Sequence, residues 1–136
     1  MNLYCMKLKA KGSTLVEFAI LLPIFIMLVM GTIEMGWALF IQNTLVDAAR
    51  HGSRIAVTQS VNDSFIRTEI ENYIQNARIP GTPTIDINPA PASSQTRGTL
   101  ITVTVDIPYN SASILPTPLF LNDRILSAHS TMSKEF

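Results

Sequence analysis

A run of sixteen residues, 18–33, holds no charge and is bounded by Glu17 and Glu34. Apolar character carries on through Met35, Trp37, Leu39, Phe40 and Ile41. A helix needs about 20 mostly apolar residues to cross a bilayer core roughly 30 Å thick. Residues 18–41 meet that requirement if Glu34 is tolerated. A buried helix of a water-soluble domain would need more surrounding chain than 136 residues supply to cover so uniform an apolar surface. A cleaved secretory signal has a shorter apolar stretch and ends in small residues at its cut site, a pattern poorly met around Ala38. The expectation is a single-pass membrane anchor followed by a small domain outside the cytoplasm.

Charge gives the orientation. Lys7, Lys9 and Lys11 precede the run with no acid among them, whereas Arg50 and Arg54 lie beyond it. The lysines and the short leading tail favour an N-terminus inside and a C-terminal domain outside. Without residues 1–12 the chain carries seven basic and ten acidic side chains, a net of −3. No basic stripe points to nucleic acid as a partner. The one cysteine, Cys5, lies in the leader, so the exported part has no disulfide and relies on packing.

Two residues are unusual for a simple anchor. A carboxylate at the head of a lipid-facing helix, as at Glu17, is costly enough to suggest function. Pro23 removes a helix hydrogen bond and tends to kink the axis. With the leader they form one unit: Lys7, Lys9 and Lys11, then Gly12, four residues, and Glu17 opening the apolar helix.

This unit resembles a type IV prepilin signal, cut by a prepilin peptidase on the cytoplasmic side after the glycine. The resemblance implies cleavage between Gly12 and Ser13, which makes Glu17 the fifth mature residue, followed by the aromatic Phe18. Glycine, without a side chain, lets an extended scissile backbone approach the protease. The stretch from Val16-Glu17-Phe18-Ala19 through Leu22-Pro23 to Gly31-Thr32-Ile33-Glu34-Met35-Gly36 is similar to the TadE-like family, as is residues 42–54, Gln42 to Arg54. That family comprises minor pilins or pseudopilins of the tight-adherence (Flp, type IVb) pilus and secretion apparatus. The resemblance covers roughly residues 12–57. The eighty or so residues beyond fit the minor class. It implies a structural role in adhesion or secretion, with Glu17 and Phe18 serving assembly. The implied partners are a prepilin peptidase, other pilin-like subunits, the assembly platform and inner-membrane lipid.

Glu34 lies seventeen residues after Glu17, about 25 Å along a helix, and so approaches the far interface. Two readings stand open: an interfacial acid beside Trp37 as an aromatic anchor, or a polar contact to a neighbouring pilin-like helix, eased by Gly31 and Gly36.

Beyond the membrane, Leu45, Ala48, Ala49, Gly52, Ile55 and Ala56 recur at helical spacing, with Asp47 and Arg50 placed to pair. That helix is expected to end near Val57. Asn62 or Asp63 can cap a second one with Phe65, Ile66, Ile70, Tyr73, Ile74 and Ala77 on its apolar face. Ile85 and Ile87, then Ile101, Val103, Val105 and Ile107, alternate with polar residues as strands do, and a last strand is expected over residues 124–132. A Ser- and Pro-rich loop spans 108–118. The expected fold is α+β: a long anchor helix, a shorter helix and a small antiparallel sheet of about three strands. Its parts are a leader (1–12), an anchor helix (13–58) and an extracytoplasmic domain (59–136).

Catalysis has no visible basis. His51 and His129 are far apart in sequence, and Glu69 and Glu71 face different ways on a helix. Asp86, Asp106 and Asp123 match no metal loop. No metal, cofactor or small-molecule substrate is expected. The alternative from another class is an uncleaved, membrane-anchored binding or envelope protein.

Overall fold

The computed structural model describes residues 7–58 and 61–135, with side chains from Thr14 onward. The order is α1 (Lys7–Thr58), α2 (Asp63–Asn76), β1 (Thr84–Asn88), a 3₁₀ turn (Ala92–Ser94), β2 (Leu100–Pro108), α3 (Tyr109–Ala112) and β3 (Ile125–Ser133). The chain divides into two compact units at Ile33/Glu34.

In the first unit, residues 14–28 of α1 are exposed on every side although nearly all are apolar. A helix that is apolar all round and unburied fits a single-pass membrane anchor. Residues 14–33 span about 30 Å at 1.5 Å per residue, the thickness of the hydrocarbon core. The helix runs through Pro23, which has no amide to give the Ala19 carbonyl.

The second unit begins at Glu34, because the rest of α1 belongs to its core. Ala38, Ile41, Leu45, Ala48, Ala49 and Ala56 are buried. Their spacing of three and four places them on one stripe. This corrects the assignment of Ile41 to the membrane: it is fully buried within the domain. Small residues on the stripe let other elements come close. At Gly52 a Cβ would collide with the Ile70 side chain of α2 and meet Val103 Cγ1 of β2 at 3.5 Å.

The sheet is an antiparallel meander, β1-β2-β3. Register sets Ile85 opposite Val105 and Ile87 opposite Val103, then Val105 opposite Ala128 and Ile107 opposite Leu126. Strand alternation therefore collects Ile85, Ile87, Ile101, Val103, Val105, Ile107 and Ala128 on one buried face. Thr102 and Thr131 share a 2.8 Å hydrogen bond on the opposite face.

α2 buries Ile66, Ile70 and Ile74, four residues apart, while Phe65 and Tyr73 stay exposed. The expected apolar face is therefore narrower than six residues. Asn62 is its N-cap but makes no side-chain capping bond; the Asp63 carboxylate accepts instead from the Ala92 amide at 2.9 Å. The Arg67 guanidinium donates to the Ile85 carbonyl, tying α2 to β1. The segment after β2 is not all loop. Its first turn is α3, which buries Tyr109 and Ala112.

Three polar ties close the core. Ser53 Oγ donates to Ser130 Oγ at 2.8 Å, linking α1 to β3. Lys134, buried, donates from Nζ to the carbonyls of Ala56 and Ala92 at 3.1 Å each. The Glu135 amide bonds the Val57 carbonyl at 3.3 Å. Lys134 and Glu135 thereby satisfy the Ala56 and Val57 carbonyls, which the end of α1 leaves without helical partners, and the ammonium complements the helix dipole there.

Candidate functional sites

The sequence-derived residues fall into two separate groups. In the first unit, Gly12 and Ser13 lie in helical backbone, and Glu17 and Phe18 are exposed on the same helix. Phe18, Leu21, Leu22 and Phe25 border a wholly apolar surface notch. Carboxylate and aromatic ring are thus presented outward from an apolar rod.

The second group forms around Glu34. Its position opens the buried stripe of α1, in register with Ala38, Ile41 and Leu45, and its side chain is only 2% exposed. Oε2 accepts from the amides of Leu119 at 3.0 Å and Phe120 at 3.2 Å. Oε1 accepts from Phe120 at 3.1 Å and Leu121 at 2.9 Å. Three successive backbone N–H groups thus converge on one carboxylate, an anion-binding nest supplied from within the chain. Bonds to an ionised acceptor are about twice as strong as neutral ones. Both carboxylate oxygens of Glu34 are thus occupied within the chain.

Tyr109 and Trp37 complete the arrangement. The Tyr109 hydroxyl donates to the Glu34 backbone carbonyl at 3.1 Å, and Trp37 Nε1 donates to the Ala112 carbonyl at 2.8 Å. Trp37 is half-buried against α3 rather than a free aromatic anchor. Burial pushes the Tyr109 phenol above its ordinary 10.0; nearby Ser113 opposes that shift and the Glu34 carboxylate adds to it. Sequence reasoning missed Tyr109 and the 119–121 amides. One signal was present: Glu34 shares the stripe of Ala38, Ile41 and Leu45, and an acid on an inward face needs donors.

Gly36 has open space where a Cβ would stand. Asp47 and Arg50 pair at 3.5 Å, both exposed, which contributes little. His51 stacks on Tyr73 with ring centroids 5.8 Å apart, and His129 lies on the exposed face of β3 opposite Thr104. Among the described residues, no three His, Cys, Asp or Glu side chains are grouped to hold a metal.

The helix that carries Gly12, Glu17, Pro23 and Glu34 is also what comparison with known families singles out. Residues 12–54 match the TadE-like protein family. No curated protein and no solved structure matches the chain. The matched segment begins at Gly12 and takes in the exposed apolar helix, Glu17 and Glu34, and most of the buried stripe. It ends before α2, so the loop that binds Glu34 lies outside it.

Proposed function

We propose that the chain is a minor pilin or pseudopilin, a structural component in assembly of a tight-adherence pilus or related secretion apparatus. The observation that carries this reading is the family match, which starts at Gly12 and spans Glu17 and the unburied apolar helix. The anchor sits in the inner membrane with the lysine leader in the cytoplasm. A prepilin peptidase cuts after Gly12, and the new Ser13 amine offers a positive charge to Glu17, whose carboxylate is otherwise costly in lipid. Phe18 and the apolar notch it borders with Leu21, Leu22 and Phe25 pack against helices of neighbouring subunits. The role is mechanical, with the outer domain meeting other minor components and the assembly platform.

The helical backbone at Gly12 and Ser13 bears on the cut. A protease reads an extended strand, so this turn must unwind, and glycine lowers helix stability there by about 1 kcal/mol relative to alanine. The test is the intact mass and N-terminal sequence of membrane-extracted protein from cells with and without the peptidase. A chain that begins at Ser13 only with the peptidase present supports the reading. Persistence of Met1 to Gly12 in both refutes processing and favours an uncut anchored protein. Glu17→Ala is expected to be cut normally yet to assemble poorly; fibres containing normal amounts of this variant would overturn the role of Glu17.

A further inference from the structure

The loop held by Glu34 has an unusual surface. Ile114, Leu119 and Phe120 are 57%, 54% and 61% exposed, and no charged residue occurs from 108 to 122. Loops in water are ordinarily polar, and leaving large apolar side chains there forgoes about 25 cal/mol per Å². The backbone is equally distinctive. Lipid offers no hydrogen bonds, so any chain entering it must satisfy its amides internally. Here four of the six amides in residues 114–121 are bonded within the chain: that of Leu115 donates to Ser113 Oγ at 3.0 Å and residues 119–121 give theirs to Glu34, while Pro116 and Pro118 have no amide. The latch lies at one defined place on α1. Glu34 directly follows the stretch, 14–33, whose length equals the hydrocarbon thickness.

From these three observations we infer that residues 113–121 form a membrane-interface loop, with Leu119 and Phe120 seated at the headgroup–acyl boundary of the leaflet from which α1 emerges. Glu34 is a positioning residue: it fixes the loop at the level of the helix exit and pairs three of the amides that lipid would leave bare. Ile114 adds apolar surface, and the nearest charges, Asp106, Asp123 and Arg124, flank the loop in sequence without entering it. The domain is then held against the bilayer at a second point besides its helix. This rests on α1 being a membrane anchor.

The full chain with Cys5→Ser, reconstituted in phospholipid bilayers, carries a nitroxide at one of three positions: Leu21→Cys on the anchor, Phe120→Cys on the loop, or Glu71→Cys on the exposed side of α2. Accessibility to oxygen, which concentrates in lipid, is compared with that to a water-soluble nickel chelate. The expected result is a deep label at 21, a shallow but oxygen-rich label at 120 and an aqueous label at 71. An aqueous label at 120 with a lipid label at 21 overturns the loop placement and leaves the anchor standing; an aqueous label at 21 overturns both. A label at 120 shielded from both reagents, with spectra that broaden as protein density rises, shows a second copy on the loop and overturns the lipid assignment. Adding Glu34→Gln is expected to shift the label at 120 towards the nickel reagent, and an unchanged depth removes the positioning role.

Discussion

Replacing Glu34 by Gln tests the carboxylate nest with almost no change of shape. The acid divides its acceptors: Oε1 holds Phe120 and Leu121, and Oε2 holds Leu119 and Phe120. Glutamine has one carbonyl oxygen, so its best rotamer keeps the Phe120 and Leu121 amides and turns an NH₂ towards the amide of Leu119. One donor left without an acceptor costs about 1–3 kcal/mol. The two surviving bonds lose their charge assistance, roughly a further 1 kcal/mol. The sum is about 3 kcal/mol, on the order of a hundredfold in the opening equilibrium of the loop. Glu34→Ala is not expected to cost much more, because a released loop solvates its own amides. The assay is hydrogen exchange by mass spectrometry on the full chain in bilayer discs, following a peptide that spans residues 119–121. Its protection should fall about a hundredfold, while a peptide from β2 should change far less. Equal protection of residues 119–121 in native and variant protein would refute the reasoning.

Gly52→Ala puts a methyl group into Ile70; overpacking of about 1–3 kcal/mol outweighs the gain of up to about 1 kcal/mol in helix propensity. The denaturation midpoint should fall, and an unchanged or higher midpoint would contradict the close packing. Lys134→Met leaves the carbonyls of Ala56 and Ala92 without the ammonium that bonds them, for a loss of about 2 kcal/mol; unaltered stability would mean that water replaces the lysine fully. Tyr109 gives a pH dependence. Its phenol is raised in the folded state, so the associated stability is complete below the unfolded value near 10 and is lost as pH rises through the folded one. Stability should decline in the alkaline range in native protein and less steeply in Tyr109→Phe, and identical slopes would exclude this phenol as the cause.

What the sequence disclosed follows from how local each signal is. An apolar run without charge announces a membrane helix with no tertiary information, and period-two alternation across residues 101–107 announces β2. The Asp47–Arg50 pair is likewise set by one helical turn. By contrast, the Glu34 nest joins residues 85 to 87 positions apart, and no spacing rule reaches that far. The amides that form it carry no side-chain signature, so Leu119, Phe120 and Leu121 read only as apolar loop. Lys134 was hidden for the same reason, because its acceptors are backbone carbonyls.

The boundary at Glu34 is more instructive. Residues 35–41 are apolar enough to continue a membrane span, and composition does not distinguish lipid from a protein core as the surroundings of an apolar helix. Geometry does, because a lipid-facing stretch is apolar on every side while a core-facing one is apolar along a stripe. Up to residue 28 the exposed apolar side chains cover all sides of α1; from Glu34 the buried positions fall at intervals of three and four. The change in pattern coincides with the first acid after the run. A carboxylate there cannot face hydrocarbon without cost, and on the inward side it requires donors, which the loop supplies. One residue therefore both ends the unburied apolar stretch and begins the core. The sheet cannot close its apolar face without the part of α1 that follows Glu34, since α2 contributes only Ile66, Ile70 and Ile74. Anchor and domain thus share a helix because the domain needs that helix to complete its core, and the acid marks where the shared helix changes its surroundings.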